Sequence, residues 1–163
     1  MHQERGNMNR TKRKIFETSM ELFAKKGYDA TSIEEITAVV GVAKGTLYYH
    51  FSSKEEIFNF LVDQGMGLLK NSLEIKTAKR ESSIDKIRAI ILIQVKILMK
   101  YESFITIIAS QMWGNEPRNI SCREKVFSYV DKIEEIVQNG MEKGEIKKGD
   151  SEAISARNIW AFM

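Results

Sequence analysis

The sequence predicts an all-α protein: an N-terminal helix-turn-helix unit of three short helices followed by a helical bundle. Three observations carry this. Apolar residues recur at spacings of three and four nearly throughout, capping residues stand directly before the apolar runs, and no stretch alternates with period two long enough to make a strand.

Taken in order, Thr11 is placed to cap a first helix with Ile15, Ser19, Leu22 and Phe23 on one face, and Gly27 offers the left-handed stop. Thr31 and Ser32 are both capping residues. Glu34 and Glu35 stand three positions after them, so either forms a capping box for a helix that buries Ile33, Ile36 and Val40. Gly41 breaks that helix. A third follows over Lys44-Gly-Thr-Leu-Tyr-Tyr-His-Phe51, with Leu47 and Phe51 inward. Ser53 with Glu56 opens a long helix through Ile57, Phe60 and Leu61 toward Leu69, in which Gly65 and Gly67 leave room either for a bend or for close packing. After a polar stretch, Ile84, Ile87, Ile91, Val95 and Leu98 form one stripe and Ile90, Ile93 and Ile97 another. A helix apolar on so much of its circumference is expected in the middle of a bundle. Glu102 to Trp113 reads as a further apolar helix, stopped by Gly114-Asn-Glu-Pro117. Ser121 with Glu124 is expected to cap the next, carrying Val126, Phe127, Val130, Ile133, Val137 and Met141 as far as Gly144. A last helix starts at Asp150 or Ser151. Its signal is unfinished at Met163, with no glycine, basic last turn or polar tail, so the chain is expected to continue.

Composition bounds the function. With 163 residues, 43% hydrophobic and 29% charged, the chain is long enough for a packed core, and its make-up argues against disorder. The net charge of +3 names no partner. Its distribution says more: residues 1–14 carry Arg5, Arg10, Lys12, Arg13 and Lys14 against Glu4, a basic arm that suits a polyanion or is simply solvated. The single Cys122 has no disulfide partner within the chain. No apolar run approaches the roughly 20 residues of a membrane span, and no secretory signal is visible at the N-terminus. A cytoplasmic protein without membrane association is expected.

Three short helices with a tight turn at Gly41 describe a helix-turn-helix. The chemistry of the third raises its significance. With Leu47 and Phe51 inward, Lys44, Thr46, Tyr48, Tyr49 and His50 point mostly outward. Two adjacent exposed tyrosines beside Lys44 and Lys54 bury nothing in their own unit and suit phosphates and base edges. Alternatively, one of the tyrosines packs against the following helix.

These residues also carry a resemblance. Thr31-Ser-Ile-Glu-Glu-Ile-Thr-Ala-Val-Val-Gly41-Val-Ala-Lys44-Gly-Thr-Leu-Tyr-Tyr-His-Phe51-Ser-Ser-Lys54-Glu55, preceded by Glu21-Leu-Phe23 and Gly27-Tyr28, resembles the DNA-binding signature of TetR-type bacterial transcriptional regulators. The match covers about residues 10–60. The later half resembles the family in helix layout and in a Gly140…Gly144…Asp150 run. Thr37 and Val40 stand where the family usually has alanine, and Ala43 where serine is common, which removes one hydroxyl that could cap the third helix or touch a phosphate. The resemblance implies a ligand-responsive repressor, homodimeric, bound to a double-stranded and palindromic DNA operator, in the cytoplasm of a bacterium on its nucleoid. It implies that Thr31 or Ser32 holds a phosphate, where the helix dipole and free N–H groups help. It also implies that Lys44, Thr46, Tyr48, Tyr49, His50 and Lys54 contact backbone or bases, and that Gly45 lets the helix approach closely.

The expected organisation is a basic arm (1–9), a DNA-binding domain (10–57) and a ligand-binding and dimerisation domain (58–163). Tyr101, Phe104, Met112, Trp113, Phe127 and Trp160 offer aromatic and soft lining for a small hydrophobic or aromatic effector, although each also serves as ordinary core. Gln94 lies inside an apolar arc, where a buried amide needs a neighbour or a ligand.

Enzymatic readings find little support. The histidines are His2 and His50 only, and the paired glutamates (34/35, 55/56, 134/135) are adjacent, so they diverge on a helix. Cys122 has no histidine in reach of its pattern, and no metal motif or cofactor is implied. The alternative of another class is a helical ligand-binding or protein-interaction module whose helix-turn-helix reads no DNA. Lys44, Lys54 and the tyrosines favour the regulator.

Overall fold

A computed structural model describes residues 9–147, and among them there are seven helices and no strand, as the periodicity predicts. These are α1 (Arg10–Lys26), α2 (Ile33–Val40), α3 (Lys44–His50), α4 (Lys54–Thr77), α5 (Ser83–Lys100), α6 (Glu102–Gln111) and α7 (Pro117–Glu142). They divide into two compact units. Among the described residues, one comprises 9–65 together with Ser103–Cys122, and the other comprises Met66–Glu102 and 123–147. The arm before Asn9, Trp160 and the expected last helix lie outside the described residues.

In the first unit, Asn9 and not Thr11 caps α1: its side chain accepts the Thr11 amide at 2.8 Å, so the helix begins two residues earlier, at Arg10. Ile15, Ser19 and Phe23 form its buried face, with the Ser19 hydroxyl donating to the Ile15 carbonyl at 2.7 Å. Of the two candidate caps of α2, Ser32 serves, accepting the Glu35 amide at 3.1 Å. Gly41, at φ 77°, supplies the left-handed residue that ends α2, and its N–H reaches the Thr37 carbonyl at 2.9 Å. Leu47, Phe51, Ile36 and Ile15 are sealed in the core. Ser53 accepts the Glu56 amide at 3.0 Å, while the Glu56 carboxylate receives the Ser52 amide and hydroxyl, each at 2.6 Å, a reciprocal cap that opens α4. Gly65 is a packing residue: a Cβ there would lie 2.1 Å from the Phe104 ring, so the α6 aromatic sits directly on the α4 backbone. Gly67 has open space, and nothing in the structure explains it.

The corner between α6 and α7 differs from expectation. The helix begins at Pro117 and not at Ser121, because proline is preorganised for a first helical position and lacks the N–H that would be orphaned there. Asn119 ties the corner, accepting the Glu116 amide at 3.2 Å and donating to the Gln111 carbonyl and side-chain oxygen, both at 2.9 Å. Cys122 is therefore buried within α7 instead of lying at a helix start.

In the second unit, α5 is not enclosed. Ala89, Ile90, Ile93 and Gln94 form its buried face, whereas Ile84, Ile91, Leu92, Leu98 and Met99 face solvent. Apolar composition around the whole wheel thus overstates its burial, because among the described residues only one side meets neighbours. The buried stripe of α7 here is Val126, Tyr129, Ile133 and Val137, while Phe127, expected inward, is 51% exposed. Lys70 reaches Ser128 at 3.0 Å, and Lys132 pairs with Glu74, joining α4 to α7. Ser82 makes no side-chain cap for α5; Glu145 substitutes, accepting the Ser83 amide at 2.5 Å, which holds its carboxyl below the usual range.

Candidate nucleic-acid interface

The surface of the first unit is built on α2 and α3. Because Leu47 and Phe51 fill the core four residues apart, α3 turns Lys44, Gly45, Tyr48 and Tyr49 outward. Tyr49 is 83% exposed and Tyr48 45%, with the Tyr49 ring meeting His50 edge-on at 5.0 Å. Neither tyrosine is buried against α4, which removes the packing alternative. Thr46 and His50 are half-buried at the margin. Lys44 pairs with Glu34 at 2.5 Å and lies 5.9 Å from the Tyr48 ring centroid. That hydrogen bond raises the Lys44 ammonium above its ordinary value and lowers the Glu34 carboxyl. Both partners are exposed, so the pair is held loosely and is open to exchange with another anion. Ser32 is exposed, and its oxygen is engaged as acceptor from Glu35, leaving its own hydroxyl proton free to donate.

Gly45 is informative through what it does not touch. A Cβ there would meet nothing within 4 Å, and its backbone is not left-handed, so the fold itself has no need of glycine at that position. Glycine inside a helix costs about 0.5–1 kcal/mol relative to alanine. Ala43 caps α3 without any side-chain hydrogen bond, as its departure from serine implies.

Two expected members of this face are engaged inside the fold. The Thr31 hydroxyl is buried and donates to the Gly27 carbonyl at 2.8 Å. Lys54 donates to the carbonyls of Tyr28 and Thr31, both at 2.8 Å, and its ammonium lies 4.4 Å from the Tyr28 ring centroid. Burial draws its proton affinity below the ordinary value. The basic segment behaves similarly. Lys14 donates to the Val40 carbonyl at the end of α2 at 2.8 Å, Lys12 lies over Phe51 and Phe60, and Arg13 pairs with Glu17.

The expected effector residues divide between the units. Phe104 and Met112 are buried in the first unit and Trp113 is 70% exposed there; Gln94, Tyr101 and Phe127 belong to the second. An open groove of about 520 Å³ in the second unit is lined by Lys79, Arg80, Asp85, Arg88, Ala89 and Leu92, none of them expected. Gln94 is buried as anticipated, and it has a companion that was not. Tyr129 lies beside it, with its hydroxyl pushed up to about 12 by burial, an effect that Gln94 partly offsets. Among the described residues, neither Gln94 Oε1 nor the Tyr129 hydroxyl completes a hydrogen bond.

The fold and this face have counterparts. Residues 15–61 match the family model described as bacterial regulatory proteins, tetR family. A Clostridium perfringens protein assigned as a fatty acid metabolism regulator superposes with a TM-score of 0.86 at 32% identity, over 91% of this chain and 81% of that one. The chain belongs to the TetR family. Among curated sequences it is similar to YerO, an HTH-type transcriptional regulator of Bacillus subtilis. Identity is 28% over 138 residues, 82% of this chain and 46% of the relative. It is also similar to IcaR of Staphylococcus aureus, the HTH-type negative transcriptional regulator of the biofilm operon icaADBC. There identity is 38% over 74 residues, 45% of this chain and 40% of the relative. The chain thus spans less than half the length of these two relatives.

Within this TetR-family chain, Tyr129 had a legible signal: it continues the Cys122, Val126, Ile133 and Val137 spacing, but Phe127 and Val130 offered a competing one. Arg118 and Asp29, which meet across 89 positions, had none. Among the described residues no group of three or more His, Cys, Asp and Glu is placed to hold a metal, and no helix is long and apolar enough to cross a membrane.

Proposed function

We propose that this chain is a DNA-binding transcriptional repressor whose hold on its operator is released by a molecule carrying an acyl chain. The observation that carries the DNA-binding half is Gly45: a helix-destabilising residue kept on an open face, between Lys44 and the exposed Tyr48 and Tyr49. Such a position is explained by a partner whose backbone comes close. In this reading residues 10–57 bind DNA, with Ser32, Lys44, Thr46, Tyr48, Tyr49 and His50 in contact, and residues 58–163 sense the effector. Two copies on a palindromic operator would place their α3 helices about 34–36 Å apart, one turn of DNA.

Repression is supported by the negative regulator IcaR, and the acyl class by the Clostridium perfringens relative. The Gln94–Tyr129 pair adds a physical reason. Gln94 Oε1 and the Tyr129 hydroxyl are buried side by side and neither completes a hydrogen bond among the described residues, which suits the single polar group at the end of an apolar chain. The test is selection of duplexes from a randomised pool by the full chain, then anisotropy titrations with the selected duplex in the presence of acyl-coenzyme A thioesters of graded chain length. Selection of a defined sequence and its release by one length class are expected. No selected sequence would remove the repressor reading, and selection without release by any thioester would remove the effector class.

A further inference from the structure

We infer that Arg118, at the start of α7, is a positioning residue for DNA binding, clamping the Tyr28–Asp29 loop that presents the N-terminus of α2. This rests on the DNA-binding reading above. Every partner lies within the first unit. The Arg118 side chain is only 18% exposed, and three sides of it are engaged. Its Nη2 meets the Asp29 carboxylate at 2.9 Å, its Nε donates to Gln111 Oε1 at 3.2 Å, and its guanidinium lies 4.5 Å from the Tyr28 ring centroid. A planar guanidinium that stacks and forks at once is a role lysine cannot copy.

The clamp has a front and a back. At the front, Tyr28 is also contacted by the Lys54 ammonium, which holds the carbonyls of Tyr28 and Thr31, the latter immediately before the α2 cap Ser32. Two cations on one ring would repel each other. The Asp29 carboxylate compensates, favouring the charged form of Lys54 where Arg118 disfavours it. Phe23 and Phe58 pack on the same ring at 5.2 and 5.3 Å. At the back, Gln111 Oε1 accepts from both Arg118 and Asn119, while Asn119 also holds the Gln111 carbonyl. A Cβ at Gly114 would lie 2.2 Å from Asn119 Oδ1, so this corner closes only with glycine there. The position of the α6–α7 corner is therefore imposed on the loop before α2. Arg118 reaches the DNA face through Tyr28 and Asp29, not by touching DNA.

The experiment uses the full chain and the duplex it selects. Arg118→Gln should weaken binding about tenfold, while the log–log dependence on salt keeps its wild-type slope, because no phosphate contact is lost. Hydrogen exchange of the amides from residue 28 to 36 should accelerate with the unfolding midpoint nearly unchanged. Arg118→Lys should recover only part of the affinity. Asp29→Asn alters a carboxylate that is 77% exposed and tests the clamp without threatening the fold. It should weaken binding by a smaller factor, and the double variant should be no worse than Arg118→Gln alone. Unchanged exchange in both variants overturns the clamp. So does a salt slope lowered by about one unit in Arg118→Gln, which would make Arg118 a phosphate contact. If the wild-type chain selects no DNA, the repressor reading fails by itself, and hydrogen exchange still decides whether Arg118 holds the loop.

Discussion

The α3 face and the outer side of α5 both turn large apolar surface to solvent, but they are different kinds of surface. On α3 the exposed groups are Tyr48 and Tyr49, ring bodies with polar tips, standing on a helix sealed by Leu47 and Phe51. Lysines brace the elements around it, Lys14 on the end of α2 and Lys54 on the loop before it. On α5 the exposed groups are aliphatic: Ile84, Ile91 and Leu98 at intervals of seven, with Leu92 61% exposed beside them. A tyrosine can exchange water for a phosphate or base edge and keep its hydroxyl bonded. An aliphatic stripe gains only from apolar cover. Exposure alone does not separate the two faces; the chemistry at the tip of the side chain does.

The largest expected difference between these faces is in stability. Leu47→Ala should lose about 2–5 kcal/mol of unfolding free energy in urea titrations and abolish DNA binding with it, whereas Leu92→Ala should stay within about 0.5 kcal/mol. An equally costly Leu92→Ala would mean that the α5 face is covered in solution and that the comparison is mistaken. Next in size is Lys44→Ala. It should weaken binding to selected and random duplexes alike and flatten the log–log salt dependence by about one unit, measured by anisotropy. An unaltered slope would leave Lys44 as the surface partner of Glu34 and nothing more.

Gly45→Ala sharpens the contrast because its two effects have opposite signs. Thermal unfolding should show a gain of about 0.5–1 kcal/mol, the helical preference of alanine, while affinity for the selected duplex falls. If both rise, the open space beside Gly45 is not kept for a partner. The smallest effect concerns the second unit. Folded Tyr129 keeps its proton up to about 12, whereas the unfolded chain releases it near 10. Ionisation therefore favours the unfolded state first, and the stability that Tyr129 contributes is present below pH about 10 and lost as pH rises toward about 12. Urea unfolding on either side of pH about 10 should show a shallower alkaline decline in Tyr129→Phe than in the wild-type chain.

The seven described helices, their order, the Gly41 turn, the Ser53 cap and the outward Tyr48 and Tyr49 were legible in the sequence, and the α2 cap was narrowed to Thr31 or Ser32. They follow from spacings of two to four residues and from backbone preferences that need no tertiary partner. Two helix starts were misplaced: Asn9 and not Thr11 caps α1, and α7 begins at Pro117 and not at Ser121, as settled by which backbone groups needed partners. The fates of the cations were decided only in three dimensions. Lys44 and Lys54 look alike in sequence, yet one meets an exposed carboxylate ten positions away and the other meets carbonyls 23 and 26 positions away. In the same way, Gln94 with Tyr129 and Arg118 with Asp29 are brought together by packing between distant helices and loops. A side chain is assigned to solvent, to a partner or to the core by what lies within about 4 Å of its tip, and at such separations along the chain only the folded structure supplies that neighbour.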